Sequence, residues 1–138
     1  PVECRPWNLE TEVDDLLGFD VGLMPLADDP WSKGKCGFKL IQYMACALPV
    51  IASPVGVNTQ IVNAGVSGFL ASDTAEWVAA LEKLAEDPRL ALKMGRAGRR
   101  RVEEEFCVQK TAPRFLAGVQ RAIALSITPL NRRCSTQG

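Results

Sequence analysis

A short segment that starts at Gly34 combines glycines and lysines in a pattern that suits phosphate chemistry. It reads GKCGFKLIQ and places Lys35 and Lys39 on either side of Gly37. Backbone N–H groups at a helix start, with the positive end of the helix dipole behind them, favour an anion. The glycines at 34 and 37 let the backbone approach a phosphate closely, and the lysines add positive charge. A diphosphate is therefore the expected ligand.

The same segment continues with Gln42, three residues after Lys39, so a helix places both side chains on one face. The Gln42 amide can donate a hydrogen bond to a sugar hydroxyl and accept one from it. A simpler interpretation leaves both side chains on a solvent-exposed stripe without a ligand, and this alternative stays open. The flanking glycines favour the binding role.

The elements that must position this segment alternate between strands and helices. Short apolar runs predict strands at 19–26, 49–53 and 67–71, and residues 2–4 are expected to be the tail of a fourth. Apolar spacing and capping signals predict helices at 9–17, from the glycine segment to 47, from 73 onward, from 88 to 94–95, and at 111–125. This order predicts an α/β fold with a Rossmann-like, doubly wound parallel sheet. The glycine segment then lies at the carboxyl edge of the sheet, where ligands of such folds bind.

Composition excludes several other functions. The chain has 138 residues with 16 acidic and 16 basic side chains and no histidine, so it has no His-based triad and no basic field for nucleic acid. Its five cysteines are scattered without CxxC spacing, which favours reduced thiols in the cytoplasm and no metal site. No apolar run is long enough to span a bilayer.

The segment from Phe19 to Ala71 resembles the nucleotide-sugar-binding half of the retaining GT-B glycosyltransferases, the glycosyl transferase group 1 family. The resemblance lies in YMACALPV, from Tyr43 to Val50, and in GVSGFL, from Gly65 to Leu70. It implies that residues 1–126 are the C-terminal part of a donor-binding domain and that 127–138 are a polar tail.

In that family two further strand–helix units and an acceptor-binding domain precede the matched part, and this sequence contains neither. We therefore expect residues 1–138 alone to be inactive. The strand at 19–25 would also have an unpaired edge, which predicts self-association with a second copy or pairing with residues 2–4.

The resemblance also implies roles for single residues. In the family, backbone amides at the positions of Gly37 and Phe38 hold the donor diphosphate. Two glutamates contact the transferred sugar and the nucleotide ribose, and their positions are Gly34 and Gln42 here. Both acids are thus absent, although the Gln42 amide can still accept a ribose hydroxyl.

Other residues are expected to share the donor site. Lys35 or Lys39 would take over part of the sugar or phosphate contact. Gly56 lies where the family has a glycine-rich turn beside the donor, although an ordinary turn glycine explains it equally well. Trp7 lies where relatives place groups beside the base, and a purely structural tryptophan is the favoured alternative.

Two functions follow from this sequence. In the first, the parent protein transfers a sugar from a UDP-, GDP- or ADP-sugar to an unknown acceptor with retention of configuration, without a metal or other cofactor. A membrane-associated acceptor, reached from the inner face of the membrane, stays open. In the second, which the absent acids at 34 and 42 favour, the chain is a non-catalytic nucleotide-binding or assembly module.

Overall fold

The computed structural model describes residues 2–127, and its contacts divide the chain into two units between Glu103 and Glu104. The first unit contains a parallel sheet in the order β1 (Gly22–Met24), β2 (Val50–Ala52) and β3 (Gly68–Leu70). All three strands lie within runs that the sequence predicts. Of the tail predicted at 127–138, Ile127 is the last residue of a helix, and residues 128–138 lie outside the described residues.

Helices connect and follow these strands. The first unit contains α1 (Glu12–Leu17), α2 (Pro30–Lys33), α3 (Phe38–Ala45), α4 (Asn58–Ile61), α5 (Thr74–Glu86) and α6 (Pro88–Arg101). A π-helical turn (Val102–Phe106) follows, and the second unit contains α7 (Val108–Ile127). Helices that alternate with parallel strands are typical of Rossmann-like folds. The α/β prediction is therefore confirmed, and the described sheet is a partial fold of this type.

The core forms around the central strand, because β2 is paired on both sides. Its residues Val50, Ile51 and Ala52 are completely buried. Ile51 faces a cluster of buried side chains from α5, α6 and the end of β3, which are Ala71, Ala80, Leu84 and Met94. Burial of a large side chain such as Ile51, Leu84 or Met94 stabilises the fold by about 1.5–3 kcal/mol, and burial of an alanine contributes less.

The predicted strand at residues 2–4 is wrong. These residues are irregular and exposed and do not pair with β1. The charged side chains of Glu3 and Arg5 do not suit a buried strand, and Arg5 instead forms exposed ion pairs with Glu3 at 2.9 Å and with Asp15 of α1 at 3.5 Å. The segment therefore lies along α1, and β1 has no partner on its outer side among residues 2–127.

The predicted end of α6 at Met94–Gly95 is also wrong, since the helix continues to Arg101. Gly95 does not end the helix but lets it approach its neighbour, because a Cβ atom there would clash with the carbonyl oxygen of Ala47. At Gly98, one turn later, a Cβ atom would lie 3.1 Å from Cγ of Met44, which is a tight contact but not a backbone clash. Glycine is therefore a packing requirement at Gly95.

Two arginines near the end of α6 strengthen this packing. The Arg99 guanidinium donates to the carbonyl oxygen of Ala45 at the end of α3 and pairs with Glu103 at 2.7 Å. Arg101 donates to the carbonyl oxygen of Gln60 in α4 at 2.7 Å. Both bonds satisfy helix carbonyls that have no partner inside their own helix.

We predict that Gly95→Ala lowers the free energy of unfolding by about 2 kcal/mol or more, because the new methyl group forces α6 away from Ala47. The matched control is Gly118→Ala in α7, where a Cβ atom meets nothing within 4 Å. Alanine is the better helix former, so the control should leave stability unchanged or slightly raised. Urea denaturation of both variants measures the difference, and equal stabilities would contradict the packing role of Gly95.

Candidate functional site

The start of α3 depends on Gly37. This residue has a left-handed backbone with φ of 68°, which favours glycine. It is also buried, and a Cβ atom there would clash with Cδ1 of Ile61 and lie 3.2 Å from Cγ2 of Val57. The tip of α3 therefore rests directly on α4. The left-handed backbone favours glycine, and any side chain at this position would require Ile61 to shift.

The tip of α3 has no side-chain cap. In contrast, α2, α5 and α6 each begin with an aspartate whose carboxylate accepts a backbone N–H of the first turn, namely Asp29, Asp73 and Asp87. No hydrogen bond joins the N–H of Phe38 or Lys39 to another residue within 2–127. Donors of this kind at the positive end of a helix favour an anion, and binding of a diphosphate here stays a prediction.

Hydrogen bonds hold the carboxyl ends of β1 and β2 together near this tip. The N–H of Leu26 donates to Oγ of buried Ser53 at 2.9 Å, and Nδ2 of Asn58 donates to the Ser53 carbonyl oxygen at 3.0 Å. Because α3 leads into β2, its first residues lie at this same carboxyl edge. The predicted location of the segment is therefore confirmed.

Gly56 follows β2 and packs the next loop against the end of α2. Its φ is 55°, and a Cβ atom would lie only 2.8 Å from the carbonyl oxygen of Lys33. This close approach explains the glycine by itself. Its predicted contact with the donor stays a prediction.

Lys39 and Gln42 share one face, as predicted, and both reach a residue that sequence reasoning missed. Gln42 Nε2 donates to Oε1 of Glu12 at 2.9 Å, and Lys39 Nζ lies 3.4 Å from the same oxygen. Glu12 is the first residue of α1, and its side chain is 19% exposed, whereas that of Lys39 is 51% exposed. The two residues therefore do not form a free solvent stripe.

The electrostatics of this cluster favour an ionised Glu12. The hydrogen bond from Gln42 lowers the pKa of the Glu12 carboxyl, the indole N–H of Trp7 and the ammonium of Lys39 act in the same direction, and partial burial opposes them. Trp7 itself is 69% exposed. Oε1 of Gln42 is buried and accepts no hydrogen bond from the described residues.

The other predicted residues surround the tip less closely. Gly34 ends α2 with an ordinary right-handed backbone, φ of −79°, so its glycine is not required by conformation. Lys35 is exposed and helps lower the pKa of Asp29, although the backbone N–H of Ser32 is the main cause. Phe38 is 59% exposed at the tip.

Topology is the signal that could have identified Glu12. A helix that precedes a parallel strand begins at the carboxyl edge of the sheet, and so does the helix that follows it. The first residue of α1 is therefore expected near the first turn of α3. No local sequence motif connects Glu12 with Gln42, because thirty residues separate them along the chain.

Within the described residues, no group of His, Cys, Asp or Glu side chains could hold a metal ion. In the same part of the chain, no helix combines the length and apolar character needed to cross a membrane.

Comparison with known proteins identifies the family. Residues 12–87, more than half of the chain, match the family model described as glycosyl transferases group 1. The chain therefore belongs to this family of GT-B glycosyltransferases.

Individual relatives agree with this assignment. The chain is 35% identical over 95 residues to the MMP alpha-(1->4)-mannosyltransferase of Mycolicibacterium hassiacum. This alignment covers 64% of this chain and 23% of that protein. Among solved structures, it is similar to sucrose-phosphate synthase from Thermosynechococcus elongatus, with a TM-score of 0.68 and 29% identity over 77% of this chain and 26% of that one.

A second solved structure supports the fold alone, because the sequences are only 19% identical. It is Anabaena Alr3699/HepE in complex with UDP and glucose, with a TM-score of 0.68 over 77% of this chain and 28% of that one. The chain thus spans about a quarter of the length of these relatives.

We predict that the lowered pKa of Glu12 makes the stability of the first unit depend on pH. Above the ordinary value of 4.5 the ionised carboxylate stabilises the fold, and this contribution is lost as the pH falls through the lower pKa of the folded state. Glu12→Gln should remove this part of the pH dependence, and Gln42→Ala should raise the pKa of Glu12. NMR titration of the Glu12 side chain and urea denaturation between pH 6 and 3 measure both effects. If Glu12 titrates at 4.5 in both the wild-type protein and the Gln42→Ala variant, the hydrogen bond between Gln42 and Glu12 is contradicted.

Proposed function

We propose that the parent protein transfers a sugar from a nucleotide-diphosphate-sugar donor to an acceptor, with retention at the anomeric carbon. The observation that carries this proposal is the uncapped start of α3 at the carboxyl edge of the sheet, with Lys39 in its first turn and Lys35 just before it. Family membership supports the reaction type.

In this proposal the N–H groups of Phe38 and Lys39 bind the donor diphosphate, and Gly37 permits the close approach. The ammonium groups of Lys35 and Lys39 balance its negative charge, which grows on the leaving group during transfer. Gln42 lies one turn further from the tip, where the nucleotide ribose would follow the diphosphate. Gly34 and Gly56 flank the transferred sugar and the donor.

The proposed reaction uses no metal ion, because the lysines and helix N–H groups provide the positive charge. UDP-, GDP- and ADP-sugars are the candidate donors, and the UDP and glucose bound to HepE make UDP the first to test. The acceptor, whether membrane-associated or not, and the cytoplasmic location stay predictions.

The alternative function is a non-catalytic module that binds nucleotides or assembles with other proteins. The glycine at 34 and the glutamine at 42, where the family has acids, favour this alternative. Turnover of a nucleotide sugar by the full-length parent, abolished by Lys39→Ala, would exclude it.

We predict that Lys39→Ala weakens binding of the preferred nucleoside diphosphate by about tenfold or more, since a charge-assisted contact is lost and Glu12 is left uncompensated. Isothermal titration of the full-length parent with UDP, GDP and ADP measures the change. Lys93→Ala is the matched control, because it removes an exposed lysine from α6. Absence of binding by all three nucleotides, or equal affinity of the Lys39 variant, would refute the proposed site.

We further propose that the chain of residues 1–138 self-associates through β1. This strand has no outer partner within the described residues, and its Leu23 is 41% exposed. Unpaired strand edges favour pairing with another chain. Sedimentation should detect dimers or larger species, and Leu23→Lys should reduce them because a charge opposes edge pairing. A monomer at high concentration would contradict this proposal.

A further inference from the structure

The cluster of Glu12, Lys39 and Gln42 contains a carboxylate that the proposed function does not yet use. We infer that Glu12 is the group that accepts hydrogen bonds from the ribose hydroxyls of the donor nucleotide, and that Gln42 and Lys39 hold it in place. This inference rests on the proposed function and names the residue that would make the site selective for ribose.

The first observation is the geometry of the carboxylate. The bonds from Gln42 and Lys39 both reach Oε1 of Glu12, at 2.9 and 3.4 Å, and neither involves Oε2. The side chain is partly exposed, so a ligand can reach it. The indole N–H of Trp7 is a third protein donor to this carboxyl. An ionised carboxylate has about four lone-pair sites, so bonds from these three donors still leave acceptor capacity for a hydroxyl group.

The second observation is the position of Glu12 relative to the tip of α3. Its partner Gln42 lies four residues after Phe38, which corresponds to about 6 Å along the helix axis. A diphosphate bound at the tip would therefore leave the carboxylate beside the sugar that follows it. This separation also limits repulsion between the two negative charges.

The third observation concerns charge, which decides the class of ligand. Lys39 lies 3.4 Å from Glu12 and offsets part of its charge, which weakens the attraction of a cation, and the carboxylate repels a phosphate. A neutral polyol that donates hydrogen bonds fits both conditions. Bonds from hydroxyls to a charged acceptor are stronger than bonds to a neutral one, so Glu12 provides what the Gln42 amide alone does not.

A purely structural tie between α1 and α3 is the competing explanation of the same contacts. In that case the loss of the carboxylate would lower stability but would not distinguish nucleotides with and without ribose hydroxyls. The experiment therefore compares each nucleotide with its analogue.

Isothermal titration of the full-length parent compares UDP, GDP and ADP with their 2′,3′-dideoxy counterparts. For the nucleotide that binds, we expect the ribose form to bind about tenfold or more tighter than the dideoxy form. Glu12→Gln should reduce this ratio to near one while leaving the affinity for the dideoxy form within about twofold. The matched control Glu10→Gln, two residues away on an exposed side chain, should retain the full ratio.

A wild-type ratio in Glu12→Gln, or equal binding of both forms by the wild-type protein, would overturn the inference. If Lys39→Ala weakens all nucleotides while Glu12→Gln changes no ratio, only this inference fails. If no nucleotide binds, the proposed function fails with it.

Discussion

The contact between the left-handed backbone of Gly37 and the side chain of Ile61 is the constraint on which the candidate site depends. It starts α3 at a residue that has no side chain to cap the helix, and a Cβ atom there would strain the left-handed backbone and require Ile61 to shift. The N–H groups of the first turn are consequently available to a ligand at the carboxyl edge. A capping aspartate, such as the one that starts α5, would satisfy these groups and would place a negative charge where an anion is expected to bind.

The position of α3 depends in turn on its contact with α6. Gly95 and Gly98 bring the two helices close together, and the Arg99 guanidinium donates to the last turn of α3. The hydrogen bond between Leu26 and Ser53 fixes the neighbouring strand end. Residues remote from the ligand edge therefore determine where the lysines and Gln42 are held.

The apolar runs were sufficient to predict the three strands, because each strand is short and apolar, although only β2 is buried at every residue. The same reasoning failed at residues 2–4, where the charged side chains of Glu3 and Arg5 disfavour a buried strand and Arg5 pairs with Asp15 of α1. It also missed α2 and α4, since a four-residue helix is too short to show a helical period. The end of α6 was misread because glycine signals both a helix end and a close helix contact.

For the site, the sequence by itself determined the chemical groups: the glycines, the two lysines and the glutamine at helical spacing, together with the parallel strands that bring a helix start to the carboxyl edge. These features are local, so they follow from neighbouring residues. Only the tertiary structure decided that Glu12 joins Lys39 and Gln42, because 27 and 30 residues separate it from these partners and no local pattern records their contact. The same holds for the glycines that pack against Ile61, Lys33 and Ala47, since the atoms that exclude a side chain belong to other elements.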